Sequence, residues 1–396
     1  MSVLRKIDRS IRDLLLFMLD ILKFVPAVLI KPGANISQDS YNKNEVLLIK
    51  TDEIGDYLLF RDYLSFIRNS DKFKNYKIIL CGNKIWKDIA LNFDKSFIDE
   101  FVWIDKTSFN KNLLYRVNFL KSISRQNPET VINCSYSRNF FIDDSIIEST
   151  RAKYKIGFKT DLSNSYKWQV KLSDKYYTKL IDCSEERFEL NKNRFFYENI
   201  LGTKIQINKP AIYIPAGAKS GHCFKDYVVL FLGGKRKYKK WDMNKFLDIG
   251  NYVISKYNFN ILLVGAKSEI NDNRRFYKSI NRNDKVTDLT GKTSLSELLL
   301  LLESANLLIS NDSGIIHMAA SVNTCTIVLL NGSQFGRFLP YPEDSGANIT
   351  TFYPDEIKQN LSDKEYLNKK YEYRSLLDIN SISPEEVKVK IDKIVG

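Results

Sequence analysis

The chain has 396 residues, room for about two domains, and its 44% hydrophobic and 13% aromatic content excludes global disorder. A net charge of +13 and a pI near 9.2 point to an anionic partner, whether nucleotide, nucleic acid or membrane face, or else to a lysine-rich surface that keeps the protein in solution. Five scattered cysteines, odd in number and without CxxC spacing, argue against a disulfide framework and a zinc site, and favour a reducing compartment.

The N-terminus starts basic and turns apolar. Ile7, Ile11, Leu14, Met18, Ile21 and Val25 recur at helical spacing, with Arg5, Lys6, Arg9 and Arg12 supplying charge. Asp20, Lys23 and Pro26 interrupt the apolar part, and no run of ~20 apolar residues is present to span a bilayer. No cleavage site for a secretory signal follows. Two readings stand side by side: a basic amphipathic helix lying in a membrane interface, or a helix packed on its own domain.

From residue 45 the pattern is regular. "EVLLIK", "KIILCG", "FVWID", "TVINCS" and "KIGF" read as short buried strands separated by helix-length segments. "YLLFRDYLSFIRNS" predicts one helix over 57–70. "EERFELNKNRFFYENILG" predicts an amphipathic helix ending at Gly202. A Pro/Gly-bearing linker, "KIQINKPAIYIPAGAKSGH", leads into a second series. There "YVVLFLGG", "FNILLVGA", "KVTDLT", "NLLIS" and "TCTIVLLNG" are strands, while "DMNKFLDIGNYVISKY" and "SLSELLLLLESA" are helices. The C-terminal part is charged and closes on "SPEEVKVKIDKIVG", a helix with Ser383 as N-cap and Pro384 in its first turn. Strand–helix alternation in two successive units predicts an α/β fold with parallel sheets.

In open α/β sheets ligands sit beyond the carboxyl ends of the strands, so four loops matter. In "KTDEIGDYLLF", Asp56 could serve as a general base or could merely cap a helix, with Gly55 easing the turn. In "FLGGKRKYKKW", Gly233 and Gly234 would let a phosphate approach, and Lys235, Arg236, Lys237, Lys239 and Lys240 would neutralise it; a solvated loop has the same composition. In "LLVGAKSE", Glu269 occupies a place where a carboxylate holds ribose hydroxyls. In "NDSGIIHMAASV", Asn311, Asp312 and Ser313 are capping types, Gly314 leaves the first helical turn bare, and His317 lies one turn in. A protonated or donor imidazole there could meet a phosphate oxygen; a packed histidine is the plainer alternative.

Taken in order, "VLLIKTDEIGDYLLF", "FLGGKRKYKKW", "DLTGKTSLSELLLLLESANLLISNDSGIIHMAASVNTCTIVLLNGS" and the final "SPEEV" resemble glycosyltransferase family nine, the heptosyltransferases of lipopolysaccharide core assembly. The resemblance implies the GT-B architecture: two Rossmann-like α/β domains with parallel sheets facing across a cleft, here with an added N-terminal amphipathic helix. The expected division is an extension over 1–42, an acceptor domain over 43–205, a donor domain over 206–355 and a charged segment with closing helix over 356–396. The resemblance also implies inverting transfer of a sugar, foremost heptose from ADP-heptose, to a lipid-anchored glycan. No metal or cofactor is implied beyond the nucleotide-sugar co-substrate. Asp56 takes the base position, Lys239 the phosphate-holding lysine, and Glu269, Asp312, Gly314 and His317 donor positions, with Gly233, Gly234 and Ser313 beside them. Acceptor-binding residues are not implied. Where many members carry arginine at the first strand's exit, this chain has Lys50. The setting implied is cytoplasmic, peripheral on the inner face of the plasma membrane, with no nucleic-acid partner. At its ordinary pKa of ~3.9, Asp56 would be ionised at neutral pH. The competing readings are a nucleotide-sugar epimerase on a similar scaffold and a non-catalytic nucleic-acid-binding protein.

Overall fold

The computed structural model describes residues 41–215, 224–234 and 236–396. The expected N-terminal helix falls outside the described residues.

Two six-stranded sheets form. β1 (Asn42–Lys50), β2 (Lys77–Asn83), β3 (Glu100–Ile104), β4 (Pro128–Asn133), β5 (Tyr154–Phe158) and β6 (Lys179–Ile181) make the first, in the order 3-2-1-4-5-6. β7 (Tyr227–Phe231), β8 (Asn260–Leu263), β9 (Val286–Asp288), β10 (Leu307–Asn311), β11 (Thr326–Leu329) and β12 (Ile349–Phe352) make the second, in the order 9-8-7-10-11-12. Every pairing is parallel, and the second order repeats the first. The central strands read as unbroken apolar runs because helices cover both faces. Val46 and Leu48 point into one core and Leu47 and Ile49 into another, all fully buried. The core holding Val46 and Leu48 continues through Val229, Leu262 and Leu308 of the second sheet, so the halves share packed apolar side chains.

Eight helices position the site: α1 (Ile54–Leu58), α2 (Tyr63–Asn69), α3 (Lys167–Ser173), α4 (Glu189–Leu201), α5 (Met243–Tyr257), α6 (Leu295–Glu303), α7 (Ile315–Ser321) and α8 (Pro384–Val395). α6 starts on a capping box between Ser294 and Glu297. α4 ends at Gly202 with φ +72°, where glycine tolerates the left-handed turn. Ser383 caps α8 by accepting from the Glu385 amide. Val387 and Ile391 of α8 then enter the second sheet's outer core, and Asp392 accepts from the Tyr252 and Tyr257 hydroxyls of α5.

Two expectations change. The helix expected over 57–70 is broken between Leu58 and Tyr63. At the break the Arg61 guanidinium binds Asp94, and the Asp62 carboxylate accepts the Ala211 amide of the interdomain linker at 2.8 Å. These tertiary demands outweigh helix continuity. β6 and β12 were not read as strands; each adds an outer strand to its sheet. The four described cysteines, Cys81, Cys134, Cys183 and Cys325, are free thiols. No described helix is long and apolar enough to cross a membrane.

Candidate active site

β1 delivers Lys50 to the cleft. Its side chain is buried, with Nζ 2.8 Å from Asp52 and 3.0 Å from the Cys134 carbonyl. Burial alone would depress its pKa, but the charges of Asp52 and Asp56 outweigh that and raise it. Asp52 is correspondingly held low: burial opposes, and Lys50 prevails. Asp56 sits in the first turn of α1, half-buried, while Glu53 occupies the N-cap without a side-chain capping bond. Burial pushes the Asp56 carboxyl up to about 7, reinforced by the Asp52 charge and opposed by Lys50. The expectation of an ordinary, fully ionised carboxylate is therefore corrected, since the group is near half-protonated at neutral pH. Asp143 behaves alike: burial and the Asp52 charge push it up to about 7, although it accepts from the Thr51 hydroxyl and the Asn139 amide.

Asp52, Asp56 and Asp143 line a cavity of about 470 Å³ between the halves. Lys106, Tyr136, Ser137 and Asn164 add to it from the first half, and Arg236, Gln334, Arg337 and Phe338 from the second. Arg337 is buried, 2.9 Å from Glu189 and 3.3 Å from Asp161, and its carbonyl accepts the Glu189 amide. It thus ties the second half to the first beside Asp56.

In the second half, β7 runs into Gly233 and Gly234. Glu269 accepts from the Gly234 amide at 3.1 Å and the Ala266 amide at 2.8 Å. A Cβ on Gly233 would stand 1.6 Å from Glu269 Oε1, so glycine is required for this approach. Asn311, at the end of β10, pins both sides of the basic loop. Its Nδ2 donates to the carbonyls of Leu232 and Gly233, and its Oδ1 accepts the Trp241 amide at 3.0 Å. The loop then presents Lys239, whose Nζ lies 2.5 Å from Asp312 Oδ2.

α7 follows within a few residues, with Gly314 at its N-cap. His317 is buried and shares a 2.8 Å hydrogen bond between Nδ1 and the Tyr341 hydroxyl. Burial depresses its pKa to about 4, against the opposing charge of Asp312, so the imidazole is neutral at physiological pH. Of the two forms raised from sequence, the neutral donor imidazole is the one this burial favours. The halves meet here. A Cβ on Gly314 would lie 3.1 Å from the Gly55 amide nitrogen, and one on Gly55 would lie 2.9 Å from His317 Cδ2. Two glycines therefore allow a backbone-to-backbone seam between the Asp56 turn and the α7 tip. A second tie is the Ser296 amide, which donates to Asp88 at 2.6 Å.

The residues expected from sequence therefore gather in three groups: Asp56 with Gly55, Gly314 and His317 at the seam; Lys239 with Asp312; and Glu269 with Gly233 and Gly234. Ser313 joins the second group to α7, and the Ile316 amide donates to its carbonyl. Sequence reasoning missed Arg337, Tyr341 and Asp143, and it took Asn311 for a helix-capping residue, whereas Asn311 ends β10 and pins the basic loop, with Gly314 at the N-cap of α7. Among the described residues no three or more His, Cys, Asp or Glu side chains stand close enough to share a metal ion.

Two parallel sheets of one topology, with functional side chains at their carboxyl ends and a seam between them, define a GT-B protein. The sequence profile of glycosyltransferase family 9 (heptosyltransferase) matches residues 146–367, more than half of the chain, and the chain belongs to that family. Lipooligosaccharide heptosyltransferase 2 of Haemophilus influenzae is 26% identical over 161 residues, which is 40% of this chain and 44% of that protein. Lipopolysaccharide heptosyltransferase 3 of Escherichia coli is 26% identical over 159 residues, 39% of this chain and 44% of that one. The chain thus spans less than half the length of these curated relatives in alignment. A family 9 glycosyl transferase from Veillonella parvula has the same fold, with TM-score 0.67 and 17% identity over 90% of this chain and 99% of that one. E. coli heptosyltransferase WaaC with ADP gives 0.66 and 15%, over 89% and 100%.

Proposed function

We propose that this chain is an inverting, metal-independent heptosyltransferase that moves heptose from ADP-heptose to a hydroxyl of a lipopolysaccharide or lipooligosaccharide core or a related surface glycan. Family membership and the names of the relatives support the donor class. The observation that carries the reading is the Asp56 carboxyl, pushed up to about 7 in a cavity between the halves, with the Lys239–Asp312 pair on the facing domain. A base poised near working pH is suited to proton transfer.

In this mechanism the acceptor hydroxyl enters the cavity. Its oxygen attacks the anomeric carbon from the face opposite the diphosphate, forming the new glycosidic bond. The bond from that carbon to the diphosphate oxygen breaks, its electron pair leaves with ADP, and the hydroxyl proton passes to Asp56. Negative charge grows on the leaving diphosphate, where Lys239 lowers its energy; preorganised charge of this kind is commonly the largest catalytic contribution. Asp312 orients Lys239, and the Glu269 carboxylate, beside Gly233, stands where ribose hydroxyls would be held. Neutral His317 serves as a hydrogen-bond donor and seam-packing group. The setting is the inner face of the cytoplasmic membrane. The epimerase and nucleic-acid alternatives gain no support from the family match.

The test is incubation with ADP-heptose and purified core oligosaccharides, following ADP release and the anomeric configuration of the product by NMR. Acceptor-dependent release with inverted configuration is expected. Retained configuration, or release indifferent to every core acceptor, would sink the proposal.

A further inference from the structure

The segment between β5 and the end of α3 exposes large side chains that the site does not use. Tyr166 is 70% exposed, Leu162 44%, Trp168 43% and Leu172 37%. Isolated exposed apolar residues are ordinary, but four within eleven positions of one segment form a patch. It is firmly held. The Asn164 amide donates to the Ser137 carbonyl, the Ser165 hydroxyl donates to the Arg138 carbonyl, and Gln169 accepts from the Tyr166 amide. Trp168 packs edge-on against Phe140, 5.5 Å between ring centroids. The patch is interleaved with exposed Lys167 and Lys171, with exposed Lys175 just beyond α3, while Asp161 and the adjoining Asp174 are engaged by Arg337 and Arg138. Ser163 and Asn164 of the same segment line the cavity that holds Asp56.

The geometry points to this patch as a docking surface for an anionic lipid membrane, placed at the mouth of the cavity. Tyrosine and tryptophan suit the boundary between headgroups and acyl chains, and lysines beside them attract anionic headgroups. Surface and cavity share one segment, so a glycan anchored in the bound leaflet would meet Asp56 from that side; only this last step rests on the proposed transferase function.

Trp168 provides the readout, because Trp86 and Trp241 are buried and Trp103 is half-buried. The full chain is mixed with vesicles of phosphatidylglycerol and phosphatidylethanolamine, and separately with phosphatidylcholine alone. Tryptophan emission should move to shorter wavelength on the anionic vesicles, and Trp168→Phe should abolish the shift while retaining binding. Lys167→Glu with Lys171→Glu should weaken cosedimentation by about tenfold or more, and Tyr166→Ser should weaken it less. Binding without any change in Trp168 emission would overturn the inference and leave the contact to the N-terminal sequence. Absence of binding would overturn it, as would self-association relieved by Tyr166→Ser, which would make the patch a contact between copies. No donor or acceptor is present, so the outcome stands apart from that of the transferase experiment.

Discussion

The two halves are built on one topology and carry opposite chemistry. The rim of the first sheet concentrates carboxylates, Asp52, Asp56 and Asp143, and the Asp52 charge, itself held by the buried Lys50, raises the proton affinity of the other two. The rim of the second presents Lys239 and Arg236, with Asn311 fixing the loop that bears them. The family match starts at residue 146, so β1 and the Asp56 turn lie outside it, whereas the whole second sheet lies inside. A shared scaffold thus carries an acidic wall and a basic wall, and the difference rests on a few residues at strand ends.

The comparison can be broken most directly at Asp56. Asp56→Asn should lower transfer by about 10²- to 10⁴-fold while ADP affinity, measured by calorimetry, stays unchanged. A parallel loss of ADP binding would make the first wall structural. Lys239→Ala should cost about 10²- to 10³-fold in turnover and also weaken ADP, because the proposed mechanism sets the diphosphate against this lysine. Gly314→Ala sets a methyl 3.1 Å from the Gly55 amide nitrogen and should part the two walls. A loss of about ten- to a hundredfold in kcat/KM, with ADP affinity largely kept, is expected from steady-state kinetics.

The pH responses sharpen the contrast. With Asp56 at about 7, kcat/KM should fall as pH drops below that value, and Asp52→Asn should move the midpoint downward by removing a neighbouring negative charge. An unmoved midpoint would separate the two carboxylates. His317 contributes no inflection near neutrality, its pKa being about 4. The smallest effect concerns stability. A folded pKa raised above the unfolded ~3.9 contributes stability that is complete below the unfolded value and is lost as pH rises through about 7. Asp56→Asn should therefore melt a few degrees above the parent at pH 8 and level with it near pH 4.

Most of the scaffold was legible in the residues. Runs such as Val46–Ile49 and Leu307–Ile309 are apolar at every position, and in a parallel sheet covered on both faces nothing else fits. β6 and β12 escaped because they are short, half-exposed outer strands whose burial comes from one neighbour only. The break at 59–62 escaped because the demand on Arg61 and Asp62 arises from Asp94 and from Ala211, about 150 positions away in the chain.

The sequence by itself determined two α/β units, the glycines and lysines of the second unit's loops, and the aspartate in the turn after the first strand, because strand periodicity, glycine and charge act over a few residues. Only the tertiary structure decided that Asp56 titrates near neutrality, that His317 is uncharged against Tyr341, and that Arg337 locks the halves together. Burial and the fields of distant charges set proton affinity, and neither exists until the chain has brought residues 56, 143, 189 and 337 into one cavity beside Lys50.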